Sequence, residues 1–356
     1  MYLEFFKLKE LPFRLTPDSE FLYMSGAHSR AKAYMDYTVW NREGFVVITG
    51  EIGCGKTTLI QKLLSELDEN VLVAKIFQTQ LDEVEFLQAV LVEFELNPFN
   101  AKKVELIDML NTFLLDNFHE LKQLVLIVDD AHNLSLKVLE EIRMLSGLET
   151  RKEKVLHVIL VGQPSLNDLL DAPEMEQLLQ RVRLRYHIKS LSDNDTRDYI
   201  HHRLRIAGAS DPEGIFTPDT YPIIYKYTGG LPRLINTLCD TAMTCAFVDN
   251  VRTVSLSILN TAIEELQWLP YAKRVNKRRA QVHISGGSEM QGLLHDNTKA
   301  VENIGNQLGR LESVAPTLSS ISGKMANIEI LLKRIADSLG EKSDMEGNTT
   351  NRVRQK

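Results

Sequence analysis

Four residues of the stretch GEIGCGKTT (50–58) have the spacing of a phosphate-binding loop, namely Gly50, Gly55, Lys56 and Thr57. Glycines allow a loop to point its backbone N–H groups inward at phosphate oxygens. Lys56 can reach the β- and γ-phosphates of a nucleotide, and Thr57 can hold Mg²⁺. An apolar run precedes the stretch and a helical pattern follows it, as a P-loop requires. The sequence therefore predicts that ATP and Mg²⁺ are bound by a loop made of Gly50, Glu51, Ile52, Gly53, Cys54, Gly55, Lys56, Thr57 and Thr58.

Two acids follow the apolar run of the stretch LVLIVDDAH (124–132). Asp129 stands at the end of the predicted strand, where it can bind Mg²⁺ directly or through water. Asp130 comes next, at the position where ATPases with a catalytic acid usually have glutamate to orient the attacking water. Since aspartate is one methylene shorter, the sequence predicts a slow ATPase. The alternative is that Asp130 is only a solvated acid at a strand end.

Further polar and cationic residues could complete the site. Gln163 ends the strand pattern VLHVILVGQPS and could sense the γ-phosphate, or could simply belong to a GQP turn. In QRVRLR, Arg181 is the first candidate for an arginine that enters a neighbouring subunit's site, with Arg183 and Arg185 behind it. The alternative is a charge cluster on an edge strand. Arg233 in GGLPR opens a helix and could reach back over the nucleotide, so that closure couples nucleotide state to shape.

Apolar runs that alternate with helical patterns predict the fold class. Predicted strands and their intervening helices occur at 45–49, 56–67, 71–77, 83–94, 104–118, 124–128, 136–148, 155–161 and 184–188. This alternation indicates an α/β domain over residues 1–190, with a parallel sheet covered on both faces. Only helical patterns follow, at 193–207, 218–227, 231–248 and 255–266. They predict a small all-helical lid domain over residues 191–268.

The remainder of the chain differs in composition from the two predicted domains. A basic linker is predicted over residues 269–290, because five of the seven residues 273–279 are Lys or Arg. Coiled-coil-like helices are predicted over 291–340, where apolar residues mostly recur every three or four positions and Pro316 should kink or split the helix. These helices could self-associate, pack on a partner or fold back as a solvated helix. Residues 341–356 are polar and predicted to be disordered.

Length, composition and charge indicate a soluble cytoplasmic protein. The chain has 356 residues, of which 44% are hydrophobic, and its formal charge is −7. An acidic protein is not drawn to nucleic acid by its overall field. The apolar runs are too short to span a bilayer, and the N-terminus lacks the order of a signal peptide. Three cysteines without a CxxC pattern suit a reducing compartment, and Cys54 is interpreted as a small residue that fits the loop.

The P-loop, VDDAHNL, VGQP, QRVRLR and GGLPRLINTLCDTA, in this order, resemble an AAA+ ATPase. The nearer resemblance is to the ExeA-like family (general secretion pathway protein A), including secretion ATPases encoded near exosortase and exopolysaccharide genes. The opening segment FFKLKELPFRLTPDSEFLYMSGAHSRA is also similar, and the likeness covers roughly residues 1–268. It implies ATP binding, a nucleotide-dependent oligomer or ring, and a role in assembling an envelope export apparatus. It also implies that Arg181 is an arginine finger, that Arg233 is a second sensor, and that Phe13 and Pro17 wrap the adenine.

The sequence departs from this family at several points. Asp130 and His132 stand where the family more often has Glu and Gln, and His132 is interpreted as a solvated strand-end residue or, alternatively, as a relay. The chain has neither the transmembrane helix nor the peptidoglycan-binding region of members that cross the inner membrane. The expected partner is therefore a cytoplasmic export or secretion protein. Peripheral attachment to anionic lipid through residues 273–279 is the other expectation.

Two other functions remain open from the sequence. The chain could be a DNA-associated regulator of the transposition or origin-recognition type, with a phosphate-binding patch at Arg274, Lys277, Arg278 and Arg279. The acidic charge and the lack of a recognisable winged helix argue against DNA binding. It could also be a nucleotide-gated scaffold with negligible turnover, which would suit Asp130.

Overall fold

The computed structural model of the chain describes residues 2–41, 44–149, 153–276 and 333. Residues up to Val275 form one compact unit. Apart from Lys333, the predicted coiled-coil-like helices and disordered tail lie outside the described residues, as does the basic linker after residue 276. Among the described residues, no helix combines the length and the apolar character needed to cross a lipid bilayer.

A five-stranded parallel sheet forms the centre of the first domain, which confirms the predicted fold class. Its spatial order is β2-β3-β4-β1-β5. Every residue of β1 and β4 is buried, because helices cover both faces, and this explains their continuous apolar runs. The strands are β1 Phe45–Gly50, β2 Val71–Ile76, β3 Gln123–Val128, β4 Leu156–Gly162 and β5 Val182–Ile188.

The helices alternate with the strands and then continue alone. They are α1 Tyr2–Phe6, α2 Gly26–Trp40, α3 Lys56–Leu64, α4 Glu83–Glu93, α5 Lys103–His119, α6 Leu136–Leu145, α7 Ser165–Leu170, α8 Glu176–Leu179, α9 Asp193–Ile206, α10 Thr220–Thr228, α11 Pro232–Val248 and α12 Leu256–Glu265, with 3-10 turns at Ala131–Asn133 and Pro173–Met175. The predicted helices are present, and Ser135 caps α6 by accepting a hydrogen bond from Val138 N at 3.3 Å. Helices α1, α2, α7 and α8 were not predicted.

Successive residues of a strand pack against opposite layers of helices. Phe45 and Val47 belong to the core shared with α4–α8, whereas Val46 and Ile48 belong to the core shared with α2 and α3. This alternation follows from the two-residue period of a β-strand. Because β3, β4 and β1 are parallel neighbours, their carboxyl ends lie at the same edge of the sheet, where ligands of parallel sheets bind.

The N-terminal segment packs with the helical domain, although the predicted boundaries place it in the α/β domain. Phe6, Phe13 and Phe21 are buried in the same core as helices α9–α12. The Tyr2 hydroxyl also hydrogen-bonds to Asp240 of α11. The helical domain is thus completed by residues from the opposite end of the described chain.

The junction between the two domains depends on a close backbone contact. Leu191 N donates to Gly230 O at 2.9 Å. Gly230 has φ +72°, and a Cβ at this position would lie 2.0 Å from the Leu191 carbonyl oxygen. A residue with a side chain is strained at this φ and cannot approach the backbone so closely. Gly230 is therefore required where the helical domain meets the end of the sheet.

Candidate functional site

The predicted P-loop joins β1 to α3 at the sheet's carboxyl edge. Gly53 and Gly55 have φ values of +79° and +96°, which residues with side chains rarely adopt. Lys56 begins α3 and is 8% exposed. Its ammonium donates to Gly50 O at 2.8 Å and to Glu51 O at 3.0 Å. The loop therefore surrounds a buried cation beside a helix N-terminus, an arrangement suited to phosphate.

Thr57 and Asp129 meet beside this cation. The Thr57 hydroxyl donates to Asp129 Oδ2 at 2.7 Å, and Asp130 N donates to Asp129 Oδ1 at 2.9 Å. Burial raises the pKa of the Asp129 carboxyl, while the hydrogen bond from Thr57 lowers it. A hydroxyl and a carboxylate are hard oxygen ligands of the kind that Mg²⁺ takes. The residues present thus fit a Mg²⁺ ion, which Thr57 and Asp129 would hold.

Asp130 occupies an exposed turn after β3. Its φ of +50° is left-handed, and its side chain is 57% exposed. The Thr79 hydroxyl donates to the Asp130 carbonyl oxygen at 3.2 Å, which holds the turn. Asp130 also lines the cavity described next.

A cavity of about 450 Å³ opens between the P-loop and the helical domain. Most of the predicted site residues line it, namely Ile52, Gly53, Gly55, Lys56, Thr57, Thr58, Asp130, Gln163 and Arg233. Cys54 is buried, and burial raises the pKa of its thiol, as expected for a packing residue and not for a reactive one. The catalytic and binding roles of these residues stay predictions.

Arg233 brings the helical domain into direct contact with the P-loop. Arg233 N donates to Gly53 O at 3.1 Å. A Cβ on Gly53 would lie 2.5 Å from Arg233 Cβ, so the glycine is needed for this approach as well as for its φ. Pro232 occupies the first turn of α11, where the backbone N–H that proline lacks would have no partner within the helix. The start of α11 is thereby attached to the loop that would hold the phosphates.

The N-terminal segment forms another wall of the cavity. Pro17 lines it, together with Arg14, Leu15, Thr16 and Asp18. Phe13 does not belong to the described lining. It is 2% exposed, and its ring meets that of Phe216 at 6.3 Å inside the helical domain's core. The expectation that Phe13 wraps the adenine is therefore wrong, and the residue instead anchors the segment.

Arg203 of α9 is a cavity residue that was not predicted. Its guanidinium donates to Pro12 O, to Tyr199 Oη at 3.1 Å and to Arg14 O at 3.4 Å, and it lies 4.8 Å from the centroid of the Phe21 ring. It thus holds the N-terminal segment against the helical domain. A signal was present in the sequence, because Arg203 shares the apolar helix face of Ile200 and Leu204.

His28 of α2 also contacts the P-loop and was not predicted. Its Nε2 lies 2.8 Å from Cys54 O, and its Nδ1 lies 2.7 Å from Ser25 Oγ. The neutral ring can donate through Nε2 and accept through Nδ1. Burial lowers the pKa of His28, which favours this neutral form. No local pattern distinguishes His28, because its partners depend on how α2 packs.

We expect the stability of the protein to fall on acidification, in part through His28. Because burial lowers its pKa in the folded state, the unfolded chain takes up the proton first, near pH 6.5. The contribution is fully present above that pH and is lost as the pH falls through it. His201 and His202, whose pKa values burial also lowers, act in the same direction. Thermal unfolding followed between about pH 8 and about pH 5 should show a smaller loss for His28→Gln than for the wild type.

The exposed His119 provides a matched control for this measurement. His119→Gln should retain the pH dependence of the wild type. If His28→Gln and the wild type lose stability equally on acidification, the buried neutral state of His28 is refuted.

The candidate arginine finger does not line the cavity of its own chain. Arg181 donates to Arg143 O and, at 3.0 Å, to Ser146 Oγ. These partners lie at the C-terminal end of α6, where a cation is favourable. Arg185 pairs with Asp171 at 2.9 Å. Whether Arg181, Arg183 or Arg185 serves a neighbouring subunit stays a prediction.

Comparisons with known proteins bear on the family and the fold of the chain. The sequence model of a family described as an AAA domain matches residues 40–170. General secretion pathway protein A of Aeromonas hydrophila is 41% identical over 249 residues, which are 69% of this chain and 45% of that protein. The chain therefore spans less than half the length of this curated relative.

Solved structures are similar in fold. The ORC2 protein of Aeropyrum pernix aligns with a TM-score of 0.55 and 15% identity, over 73% of this chain and 72% of that one. Cdc6p from Pyrobaculum aerophilum aligns with a TM-score of 0.55 and 16% identity, over 70% and 71%. At such identities the likeness concerns the fold alone.

Proposed function

Since the chain belongs to the ExeA-like family of AAA+ ATPases, we propose that it hydrolyses ATP slowly and acts as a nucleotide-dependent motor or switch. The process it serves is the assembly of a bacterial secretion or exopolysaccharide export apparatus. The observation that carries the proposal is the meeting of Lys56, Thr57 and Asp129 at the P-loop, with Arg233 attached to the same loop. This arrangement supports both phosphate binding and a response of the helical domain to the nucleotide.

Each side chain has a task in the proposed reaction. Lys56 exchanges its loop carbonyls for phosphate oxygens. Thr57 and Asp129 would hold a Mg²⁺ ion, which would neutralise phosphate charge. Asp130 orients the attacking water and accepts its proton. Gln163 faces the γ-phosphate from the end of β4. Arg233 adds positive charge from the helical domain, so that domain closure and transition-state stabilisation are linked.

The proposed assembly is an oligomer or ring in which Arg181 enters the neighbouring site. In the described chain Arg181 contacts the end of α6 and is not among the residues that line the cavity, which supports a role between subunits. Using it there would require release from the end of α6. Nucleotide-dependent assembly, followed by light scattering with and without ATP, tests this part of the proposal.

The proposed location is the cytoplasm, with peripheral contact at the inner membrane. Lys273 is exposed, as attachment through residues 273–279 requires. Arg274, in contrast, donates to Tyr227 O and lies 4.4 Å from the centroid of the Trp268 ring. Its guanidinium is therefore less available to contact the phosphates of a lipid or of DNA than the sequence predicted. A salt-dependent DNA shift assay with and without ATP separates the export role from the DNA-associated alternative.

Asp130→Asn is expected to lower the rate of ATP hydrolysis by about 100-fold or more, with ATP affinity kept. The amide cannot accept the proton of the attacking water, whereas the P-loop is unaltered. Phosphate release under single-turnover conditions and equilibrium binding of ATP measure the two quantities. Asp168→Asn, on the neighbouring α7, is the matched control and should keep wild-type turnover.

Turnover in Asp130→Asn equal to that of the wild type would exclude the catalytic role of Asp130. Undetectable turnover in the wild type itself would favour the scaffold alternative. The variant also traps the ATP state for capture of partners. Recovery of export proteins supports the proposed process, and recovery of DNA or recombinases contradicts it.

A further inference from the structure

Asp130, His132 and Gln163 form a row of polar side chains at the ends of β3 and β4. His132 Nε2 lies 2.6 Å from Gln163 Nε2, and His132 Nδ1 lies 3.8 Å from Asp130 Oδ1. Asp130 and Gln163 line the cavity. The imidazole touches both and is only 11% exposed. His132 is therefore not the solvated strand-end residue of the first interpretation.

The backbone on both sides is shaped to bring these residues together. The left-handed turn at Asp130 directs the chain into the 3-10 turn Ala131–Asn133, which carries His132. A Cβ on Gly162 would lie 3.1 Å from His132 N. The glycine at the end of β4 thus lets this turn approach closely enough for His132 to reach Gln163.

With Gln163 as the donor, the two contacts favour one tautomer of the His132 imidazole. When Gln163 presents its N–H to His132 Nε2, that ring nitrogen is the acceptor. Nδ1 consequently carries the hydrogen and directs it toward the Asp130 carboxylate. The opposite tautomer would turn a lone pair of Nδ1 toward a carboxylate oxygen, which is repulsive. Of the two neutral tautomers, the Nδ1–H form is the one that makes both contacts favourable when Gln163 donates to the ring.

The His132 Nδ1 atom has an unmet hydrogen bond. It is buried and has no hydrogen-bond partner within the described part of the chain. Leaving such a group unpaired is unfavourable. At 3.8 Å, Asp130 is too distant for a hydrogen bond, yet its side chain is 57% exposed and can rotate toward the ring.

We propose that His132 is a positioning residue that couples Asp130 to Gln163. When the Asp130 carboxylate accepts from His132 Nδ1–H, it is held on the cavity side in one orientation. The same ring fixes one N–H of Gln163, which leaves the second N–H to face the γ-phosphate. The same ring therefore fixes the orientations of the Asp130 carboxylate and the Gln163 amide. This coupling compensates for the short aspartate, and it rests on the proposed hydrolysis of ATP.

Kinetics of three variants test the coupling. His132→Leu removes both contacts and is expected to lower kcat by about 10- to 100-fold, with the Kd for ATP changed by less than about twofold. His132→Gln should recover most of kcat, because its N–H can donate to Asp130 while its carbonyl oxygen accepts from Gln163. His119→Leu, at the exposed end of α5, should match the wild type.

Wild-type kcat in His132→Leu, or equal impairment of the leucine and glutamine variants, would overturn the proposal. Loss of ATP affinity together with kcat in His132→Leu would assign the residue to packing of the site.

Nitrogen-15 NMR of the full-length chain tests the bridge without relying on turnover. The His132 ring should show protonated Nδ1 and unprotonated Nε2. Its resonances should move in both Asp130→Asn and Gln163→Leu. A protonated Nε2, or a ring that responds to neither variant, would refute the bridge. An intact bridge in a wild type that does not hydrolyse ATP would instead refute the proposed function.

Discussion

Lys56→Ala is expected to raise the Kd for ATP by at least about 100-fold, which is about 2.7 kcal/mol. The wild-type ammonium is buried within the loop and is the P-loop's own cation. Its bonds to the Gly50 and Glu51 carbonyls hold it where phosphate oxygens would arrive. A charge-assisted hydrogen bond to phosphate in a site shielded from water is among the strongest polar contacts. Calorimetric titration with Mg·ATP measures the loss.

Lys62→Ala is the matched control for this prediction. Lys62 lies on the same helix, and its ammonium pairs with Glu66 at 2.9 Å on the surface. An exposed pair of this kind contributes little to stability. Lys62→Ala should keep wild-type affinity for ATP and the rise in melting temperature that bound nucleotide produces. Equal affinities in the two lysine variants would contradict phosphate binding by Lys56.

Gly230→Ala is expected to destabilise the protein by about 3 kcal/mol or more. The added methyl would meet the Leu191 carbonyl oxygen, and the left-handed φ adds strain. Because the backbone fixes the position of the Cβ and the Leu191 oxygen is itself a backbone atom, a side-chain rotation cannot relieve the contact. The junction must move, and with it the hydrogen bond between Leu191 N and Gly230 O. The melting temperature should fall by about 5 °C or more.

A second readout connects Gly230 to the candidate site. Displacement of the junction moves the start of α11 and therefore Arg233 away from Gly53. ATP should consequently raise the melting temperature of Gly230→Ala less than that of the wild type. Gly26→Ala is the control, because a Cβ on Gly26 meets no atom within 4 Å. Equal melting temperatures of the two alanine variants would refute the importance of the junction.

The parts of the site that the sequence predicted depend on local patterns. The P-loop, Asp129 and Asp130 each follow an apolar run that becomes a central strand, so the sheet alone places them at one edge. Arg233 was predicted to reach the nucleotide because the helix it begins carries a recognisable GGLPR. Its attachment to Gly53 depends on tertiary packing and was not foreseen.

The parts that were missed depend on contacts between distant segments. Helix α2 lacks a clear amphipathic pattern, because its buried face includes the polar residues His28 and Thr38. Its exposed face in turn includes Ala33, Tyr37 and Trp40. Without α2, the contact of His28 with Cys54 O could not be anticipated. The placement of Phe13 was wrong for a related reason. A family resemblance indicates where in the fold a segment lies. It does not show which side chains of that segment face the cavity and which pack in the core.

The position of the N-terminal segment has a consequence for the order of folding. The hydrogen bond between Tyr2 and Asp240 joins residues 238 positions apart. At a translation rate of about 5–20 residues per second, roughly 10 to 50 s separate the synthesis of the two partners. During that interval Phe6, Phe13 and Phe21 lack the core that buries them, while the sheet can already form. The helical domain is therefore completed after the sheet, and these aromatic side chains lack their packing partners until then.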